Sequence, residues 1–134
     1  MTNAAEAESA GLKVLVIDDS NTIRRSAEIF LRQGGHEVLL AEDGFDALAK
    51  VNDHDPELIF CDILMPRLDG YQTCAIIKRN PRFAKVPVIM LSSKDGLFDK
   101  ARGRMVGSED YLTKPFTKEQ LLRAVDSYRR SARL

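Results

Sequence analysis

Apolar residues fall into two kinds of pattern that alternate along the chain. Unbroken apolar runs are typical of strands covered on both faces, whereas a strand with one solvent face alternates apolar and polar residues. Such runs occur at Val14–Ile17, Val38–Ala41, Leu58–Cys61 and Val86–Leu91, with a shorter one at Tyr111 and Leu112. The pattern therefore predicts five buried strands.

Between these runs the apolar positions recur at helical spacing. Residues on one face of a helix follow each other at three or four positions. This spacing is seen for Ile23, Ala27, Phe30, Leu31 and Gly34, and again for Leu121, Val125 and Tyr128. We expect surface helices with one apolar face.

Start and stop signals agree with these helices. Asp69 and Gln72 have the spacing of a capping box, and so do Thr117 and Gln120. Glycine after a helical stretch predicts a helix end, and it occurs at Gly34, Gly35, Gly103 and Gly107.

The order of these elements predicts the fold class. Strands that alternate with helices, at spacings too long for hairpins, require right-handed crossovers between parallel strands. The 134 residues suit one domain. The prediction is an α/β protein with a single doubly wound parallel sheet.

Polar residues follow several of the predicted strands. Ligands of a doubly wound sheet bind beyond the carboxyl ends of its strands, at the switch point where the winding reverses. Five residues are expected to meet there: Asp18, Asp19, Asp62, Ser92 and Lys114.

Composition limits the classes of partner. The chain has 20 basic and 20 acidic residues, so no overall charge favours nucleic acid or a membrane surface. No apolar run has the length needed to span a bilayer, and the first residues lack the pattern of a signal peptide. We expect a cytoplasmic protein. Along the chain we expect a disordered acidic tail at 1–11, one domain at 12–130 and a basic end at 131–134.

The cysteines and histidines carry no recognisable site. Cys61 and Cys74 have neither metal-binding nor redox spacing, so they are interpreted as buried thiols in a reducing compartment. His36 and His54 stand in turn-like sequence with no ligand cluster around them, and both are expected at the surface.

The residues expected at the sheet edge have the chemistry of phosphoryl transfer. Three carboxylates brought together repel one another and favour a hard cation such as Mg²⁺. Asp62 is a candidate nucleophile because carboxylates can form acyl phosphates. Lys114 can neutralise a phosphoryl oxygen, and the Ser92 hydroxyl can donate a hydrogen bond to another. Asp18 and Asp19 are the candidate metal ligands.

Four motifs resemble the receiver domain of bacterial two-component response regulators: VIDDS, CDILMPRLDG, VIMLSS and DYLTKPF. The resemblance spans roughly residues 12–130 and implies a flavodoxin-like sheet in the order 2-1-3-4-5. It implies that Asp62 is the phosphoacceptor and that Lys114 contacts the phosphate. It also implies that Mg²⁺ is held by Asp18, Asp19, Asp62 and the backbone carbonyl of Leu64.

The resemblance also implies a conformational switch, and it bears on the rate at which the phosphoryl group is hydrolysed. Ser92 and Tyr111 would form the switch pair. Leu64 and Lys94 would flank the approach of water to the phosphoryl group. An apolar Leu64 and a long Lys94 predict slower self-hydrolysis than in a variant with a polar residue at position 64.

On the same resemblance, the phosphoryl donor is a histidine kinase or its phosphotransfer domain. The chain would catalyse only its own phosphorylation and dephosphorylation. The segment RLDGYQTCAIIKRN is similar to stand-alone receivers that control type IV pilus twitching motility. A downstream pilus or signalling protein is expected to bind the face formed by the fourth helix, the fifth strand and the fifth helix, since no appended effector domain is expected.

Two other classes stay open at this point. One is a receiver-like module that binds proteins without being phosphorylated. The other is a magnesium-dependent phosphohydrolase, which would need a second acid two residues after the nucleophile, where this chain has Leu64. A flavin carrier is disfavoured because the segment DDSNTIRR is acidic rather than a Ser/Thr/Gly-rich phosphate loop.

Overall fold

The computed structural model describes residues 10–93 and 99–133, and this part of the chain contains five strands that alternate with five helices. The strands are β1 (Lys13–Ile17), β2 (Glu37–Ala41), β3 (Leu58–Asp62), β4 (Val88–Ser93) and β5 (Asp110–Lys114). The helices are α1 (Asn21–Gln33), α2 (Gly44–His54), α3 (Gly70–Arg79), α4 (Lys100–Val106) and α5 (Lys118–Arg133).

The strands form one parallel sheet in the order β2-β1-β3-β4-β5. The predicted fold class and strand order are therefore confirmed. From β1 the chain winds in one direction to β2 and in the other to β3. The switch point consequently lies between the carboxyl ends of β1 and β3.

Both faces of the central strands β1, β3 and β4 are buried, which explains their unbroken apolar runs. In β1, Leu15 and Ile17 pack in one apolar cluster, whereas Val14 and Val16 pack in the other. Side chains from α2, α3 and α4 cover the first face, and side chains from α1 and α5 cover the second. A strand in this arrangement has no solvent face on which polar residues would be favoured.

Both predicted capping boxes are present. The Asp69 carboxylate accepts a hydrogen bond from the backbone N–H of Gln72, and the Gln72 side chain accepts one from the backbone N–H of Asp69. Thr117 and Gln120 exchange the equivalent pair of hydrogen bonds before α5.

The glycine signals were confirmed at two helix ends and wrong at one position. Gly34 is the C-cap of α1, and Gly107 is the C-cap of α4 with a φ of 91°. Gly103 does not end a helix, because it lies inside α4 on its buried side. From the sequence alone, a buried glycine inside a helix cannot be distinguished from a glycine that ends one.

Both cysteines and His36 are buried. Cys61 and Cys74 are free thiols, as predicted. His36, only 6% exposed, was wrongly expected at the surface. Its Nδ1 atom accepts a hydrogen bond from the backbone N–H of Leu12 at 3.0 Å, so the turn before β2 places the imidazole against the start of β1.

The predicted tail and basic end are only partly covered by the structure. Most of the predicted acidic tail, residues 1–9, lies outside the described residues. The Ala10 carbonyl accepts a hydrogen bond from the Arg129 guanidinium. At the other end, α5 continues to Arg133 and so includes most of the predicted basic end. No helix within the described ranges has the length and apolar character needed to cross a bilayer.

Candidate functional site

The predicted site residues lie at one edge of the sheet. Asp18 and Asp19 directly follow β1, and Asp62 is the last residue of β3. Because β1 and β3 pair side by side in parallel register, these acidic ends meet at the switch point. Ser92 lies in β4, and Lys114 is the last residue of β5.

Three carboxylates form a compact group. One oxygen from each of Asp18, Asp19 and Asp62 lies within 4.8 Å of the others. Asp18 and Asp62 are buried, whereas Asp19 is exposed. Ligand oxygens around Mg²⁺ lie about 3–4 Å apart, given metal–oxygen distances of about 2.0–2.1 Å, so small side-chain movements would close this set around one ion.

Among the residues that the structure describes, Lys114 is the cation that forms ion pairs with this acidic group. Its Nζ atom lies 3.0 Å from Asp18 Oδ2 and 3.0 Å from Asp62 Oδ1. The peptide bond that follows, Lys114–Pro115, is cis. Three carboxylates against one ammonium leave an excess of negative charge that a divalent ion can neutralise.

The pKa values at the site reflect this excess. Burial and the Asp18 carboxylate raise the pKa of Asp62 from 3.8 to about 7, although Lys114 acts in the opposite direction. Burial lowers the pKa of Lys114, but its hydrogen bonds to Asp62 and Asp18 outweigh this and bring the pKa above 10.5. A single ammonium does not satisfy the acidic group, which favours a second cation.

Neighbouring residues hold Asp18 in place. The backbone N–H of Ser20 donates to Asp18 Oδ1 at 2.9 Å, and the Arg24 guanidinium donates to the Asp18 carbonyl at 2.6 Å. The backbone N–H of Asp18 donates to the Ala41 carbonyl at 3.1 Å. Sequence reasoning missed Arg24, because a cation at this point of an amphipathic helix has the same pattern as a solvated one.

A pocket of about 140 Å³ adjoins Asp62 and is lined by Leu64, Ser92 and Lys114 among others. The Ser92 side chain is buried, and its hydroxyl donates to the Ser93 carbonyl at 3.3 Å. Leu64, 70% exposed, forms part of the pocket wall. A small anionic group attached to Asp62 would therefore lie beside one hydroxyl and one ammonium.

Tyr111 does not line this pocket. Tyr111 is 38% exposed and lines a separate pocket along β5 together with Thr113 and Gln120. The Lys100 ammonium is 5.7 Å from the centre of the ring. The structure thus brings Ser92 to Asp62 but leaves the other predicted member of the switch pair outside. Lys94 lies outside the described residues.

Comparison with known proteins gives consistent matches. The profile described as the response regulator receiver domain matches residues 14–126, which include all five predicted polar residues. Protein PilG of Pseudomonas aeruginosa is 66% identical over 123 residues, covering 92% of this chain and 91% of that protein. Protein PilH of the same organism is 36% identical over 115 residues, covering 86% of this chain and 95% of PilH.

A solved structure agrees with these sequence matches. The chemotaxis protein CheY4 of Vibrio cholerae is similar with a TM-score of 0.83 and 33% sequence identity. The similarity covers 88% of this chain and 98% of CheY4.

Proposed function

The chain belongs to the response regulator receiver domain family, and from this premise we propose that it accepts a phosphoryl group on Asp62 and signals by binding another protein. One observation carries the proposal. The carboxylates of Asp18, Asp19 and Asp62 lie within 4.8 Å of one another, and the Lys114 ammonium contacts two of them. This arrangement provides a nucleophile, a cation site and a fixed positive charge at one sheet edge.

Asp62 is the proposed nucleophile. Its carboxylate oxygen attacks the phosphorus atom of a phosphohistidine on a histidine kinase or its phosphotransfer domain. The phosphorus–nitrogen bond breaks, its electron pair returns to the imidazole nitrogen, and an aspartyl phosphate forms. In this proposal the chain catalyses only its own phosphorylation and dephosphorylation. It acts in the cytoplasm.

Asp18, Asp19 and Asp62 would hold Mg²⁺, with the backbone carbonyl of Leu64 as a further ligand. The donor set fits this ion because it consists of oxygen atoms and carries excess negative charge. When bound, the ion neutralises phosphoryl oxygens and reduces the repulsion between the anionic nucleophile and the anionic donor. Lys114 stabilises a phosphoryl oxygen from the other side of the pocket.

Ser92 and Tyr111 are proposed to convert phosphorylation into a change of surface. The phosphoryl group carries about −1.5 to −2 charges in place of the carboxylate charge of Asp62. It also adds strong acceptor oxygens, which compete with the Ser93 carbonyl for the Ser92 hydroxyl. Movement of Ser92 toward the phosphoryl group opens space for the Tyr111 ring. Phosphorylation then shifts the population between two packings of this region.

The proposed output is binding of a downstream pilus or signalling protein to the face formed by α4, β5 and α5. The 66% identity to PilG supports the role in type IV pilus twitching motility that the sequence motifs predict. The affinity of the partner is expected to differ between the phosphorylated and the unphosphorylated protein, since only a partner that distinguishes the two packings can respond.

Intact-mass spectrometry tests the phosphoacceptor proposal. The protein is incubated with a small acyl phosphate, with and without Mg²⁺, as wild type and as Asp62→Asn. We expect one phosphoryl adduct that requires both the metal and Asp62. Asp53→Asn, at an exposed acid in α2, is the matched control and should behave as wild type. A folded wild-type protein that forms no adduct under any condition would contradict the proposal.

A further inference from the structure

The start of α4 is held to α3 by the side chain of Tyr71. Tyr71 lies in the first turn of α3 and is buried. Its hydroxyl oxygen accepts a hydrogen bond from the backbone N–H of Asp99 at 3.0 Å. Asp99 is the N-cap of α4, and its carboxylate accepts a hydrogen bond from the backbone N–H of Arg102 at 3.0 Å. A buried ring of α3 therefore positions the residue that begins α4.

Arg102 makes a second connection between the same two turns. Its guanidinium lies 4.3 Å from the centre of the Tyr71 ring. Its Nη2 atom lies 3.6 Å from Oδ2 of Asp69, the N-cap of α3. A hydrogen bond, a cation–π contact and an ion pair thus join the first turns of α3 and α4.

The first turn of α3 also rests against the strand end that carries Asp62. Gly70, which stands between Asp69 and Tyr71, donates its backbone N–H to the Ile63 carbonyl at 2.8 Å. A Cβ atom at Gly70 would lie 2.2 Å from the Asp62 carbonyl oxygen. A movement of the backbone at Asp62 would therefore displace the turn that carries Tyr71.

We propose that Tyr71 is a positioning residue that couples the Asp62 strand end to α4. The coupling acts in addition to that of Ser92 and Tyr111, and it rests on the proposed function, in which α4 belongs to the protein-binding face. The hydroxyl keeps the first turn of α4 in register with the first turn of α3. Tyr71 is not among the residues that line the pocket beside Asp62, so we expect phosphoryl transfer to proceed without its hydroxyl.

Tyr71→Phe tests the connection, because it removes the hydroxyl and keeps the ring. Backbone hydrogen exchange is measured by NMR in the unphosphorylated protein. We expect the amides of Asp99 and Arg102 to exchange roughly 2- to 10-fold faster, as for the loss of one neutral hydrogen bond. Tyr128→Phe is the matched control, because it removes a hydroxyl that donates to Asp110 Oδ2 instead. Wild-type exchange of both α4 amides in Tyr71→Phe would overturn the proposal.

A second measurement separates coupling from local packing. Amide chemical shifts of α4 are compared before and after phosphorylation by a small acyl phosphate with Mg²⁺. We expect Tyr71→Phe to incorporate phosphoryl groups at the wild-type rate while the shift changes at α4 are reduced. A full-sized α4 response, or loss of incorporation, would overturn the proposal. If the wild type itself incorporates no phosphoryl group, the proposed function fails, whereas the exchange comparison still tests the Tyr71 connection.

Arg102→Gln gives an independent variant at a side chain that is 52% exposed, so the fold is expected to persist. It removes the guanidinium from the Tyr71 ring and from Asp69. The same α4 amides should exchange faster than in wild type, by less than in Tyr71→Phe, because partly exposed cation–π contacts and ion pairs contribute modestly. Exchange equal to wild type in both variants contradicts a coupling through Tyr71.

Discussion

At the scale of single residues, the charge balance around Asp62 determines the chemistry at the sheet edge. One Lys114 ammonium lies 3.0 Å from both Asp18 and Asp62. The pKa of Asp62 is nevertheless raised to about 7, because burial and the Asp18 carboxylate outweigh this contact. The acidic group is thus short of positive charge in a part of the protein where water screens it poorly.

Magnesium should therefore stabilise the folded protein through this group. A ligand that binds only the folded state adds about 2.7 kcal/mol at a concentration 100 times its dissociation constant. We expect Asp19→Asn to lose most of this gain, measured as the increase in Tm on addition of Mg²⁺. Asp53→Asn, an exposed acid of α2, should keep the full increase. An undiminished increase in Asp19→Asn would place the metal elsewhere.

Leu64 is expected to control the lifetime of the phosphorylated protein. Its apolar side chain forms part of the pocket wall beside Asp62, where it would exclude an attacking water. Leu64→Asn should lose its phosphoryl group faster than wild type, because an amide can hydrogen-bond and orient that water. The decay is followed by intact mass after the donor is removed. Ile76→Asn, at another exposed apolar residue, is the control. A decay in Leu64→Asn that is unchanged or slower would refute this role.

Among the elements, the starts of β1 and β2 are joined by a titratable group. Burial and the charge of Arg129 lower the pKa of His36 below its ordinary value of 6.5, although Asp126 acts in the opposite direction. The unfolded chain then binds the proton more readily than the folded one. The stabilisation is therefore complete above about pH 6.5 and is lost progressively as the pH falls below it.

His36→Asn should weaken this pH dependence. The asparagine amide oxygen can replace Nδ1 as the acceptor for the Leu12 N–H, and the amide does not titrate. The free energy of unfolding by urea is compared at about pH 7.5 and about pH 5.5, where wild type should lose stability and the variant should lose less. His54→Asn, at an exposed histidine, should match wild type. An equal loss in His36→Asn would exclude His36 as the cause.

Lys78 joins α3 to the starts of β4 and β5. Its ammonium donates to the Val86 carbonyl at 2.6 Å, to the Ala84 carbonyl at 3.2 Å and to Glu109 Oε1 at 2.7 Å. The other carboxylate oxygen of Glu109 accepts the backbone N–H of Val88 at 2.6 Å. The Lys78 side chain is mostly buried, whereas Glu109 is exposed and keeps access to water.

Lys78→Met should consequently lower the free energy of unfolding by about 1–3 kcal/mol, because the Val86 and Ala84 carbonyls lose a mostly buried hydrogen-bond donor. The measurement is urea unfolding of the variant and of Lys85→Met, a matched change at an exposed lysine. Lys85→Met should alter the free energy by less than about 0.5 kcal/mol. Equal stability of the two variants would show that Lys78 contributes no more to the free energy of unfolding than an exposed lysine does.

For the molecule as a whole, the sequence predicted the fold class because strands covered on both faces have a distinctive pattern. The edge strand β5 was indicated only by Tyr111 and Leu112, because all five of its residues are exposed or half-buried. The fourth strand begins at Val88 rather than Val86, since the intervening Pro87 has no N–H to donate to a ladder.

Features that depend on contacts between distant segments were beyond sequence reasoning. The burial of His36 depends on Leu12, which lies 24 residues earlier. The Tyr71 hydroxyl is bonded to the backbone N–H of Asp99, which lies 28 residues later, so the sequence around Tyr71 does not reveal this contact. The acidic residues of the site could be predicted because each stands at the carboxyl end of a strand, where the topology itself brings them together.

The most direct test locates the phosphorylated residue chemically in the full chain. After incubation with a small acyl phosphate and Mg²⁺, borohydride reduces an aspartyl phosphate to homoserine, and peptide mass spectrometry identifies the altered position. We predict homoserine at position 62 alone, and none when magnesium is removed. Homoserine at position 18 or 19, or none at all in folded protein, would contradict Asp62 as the phosphoacceptor.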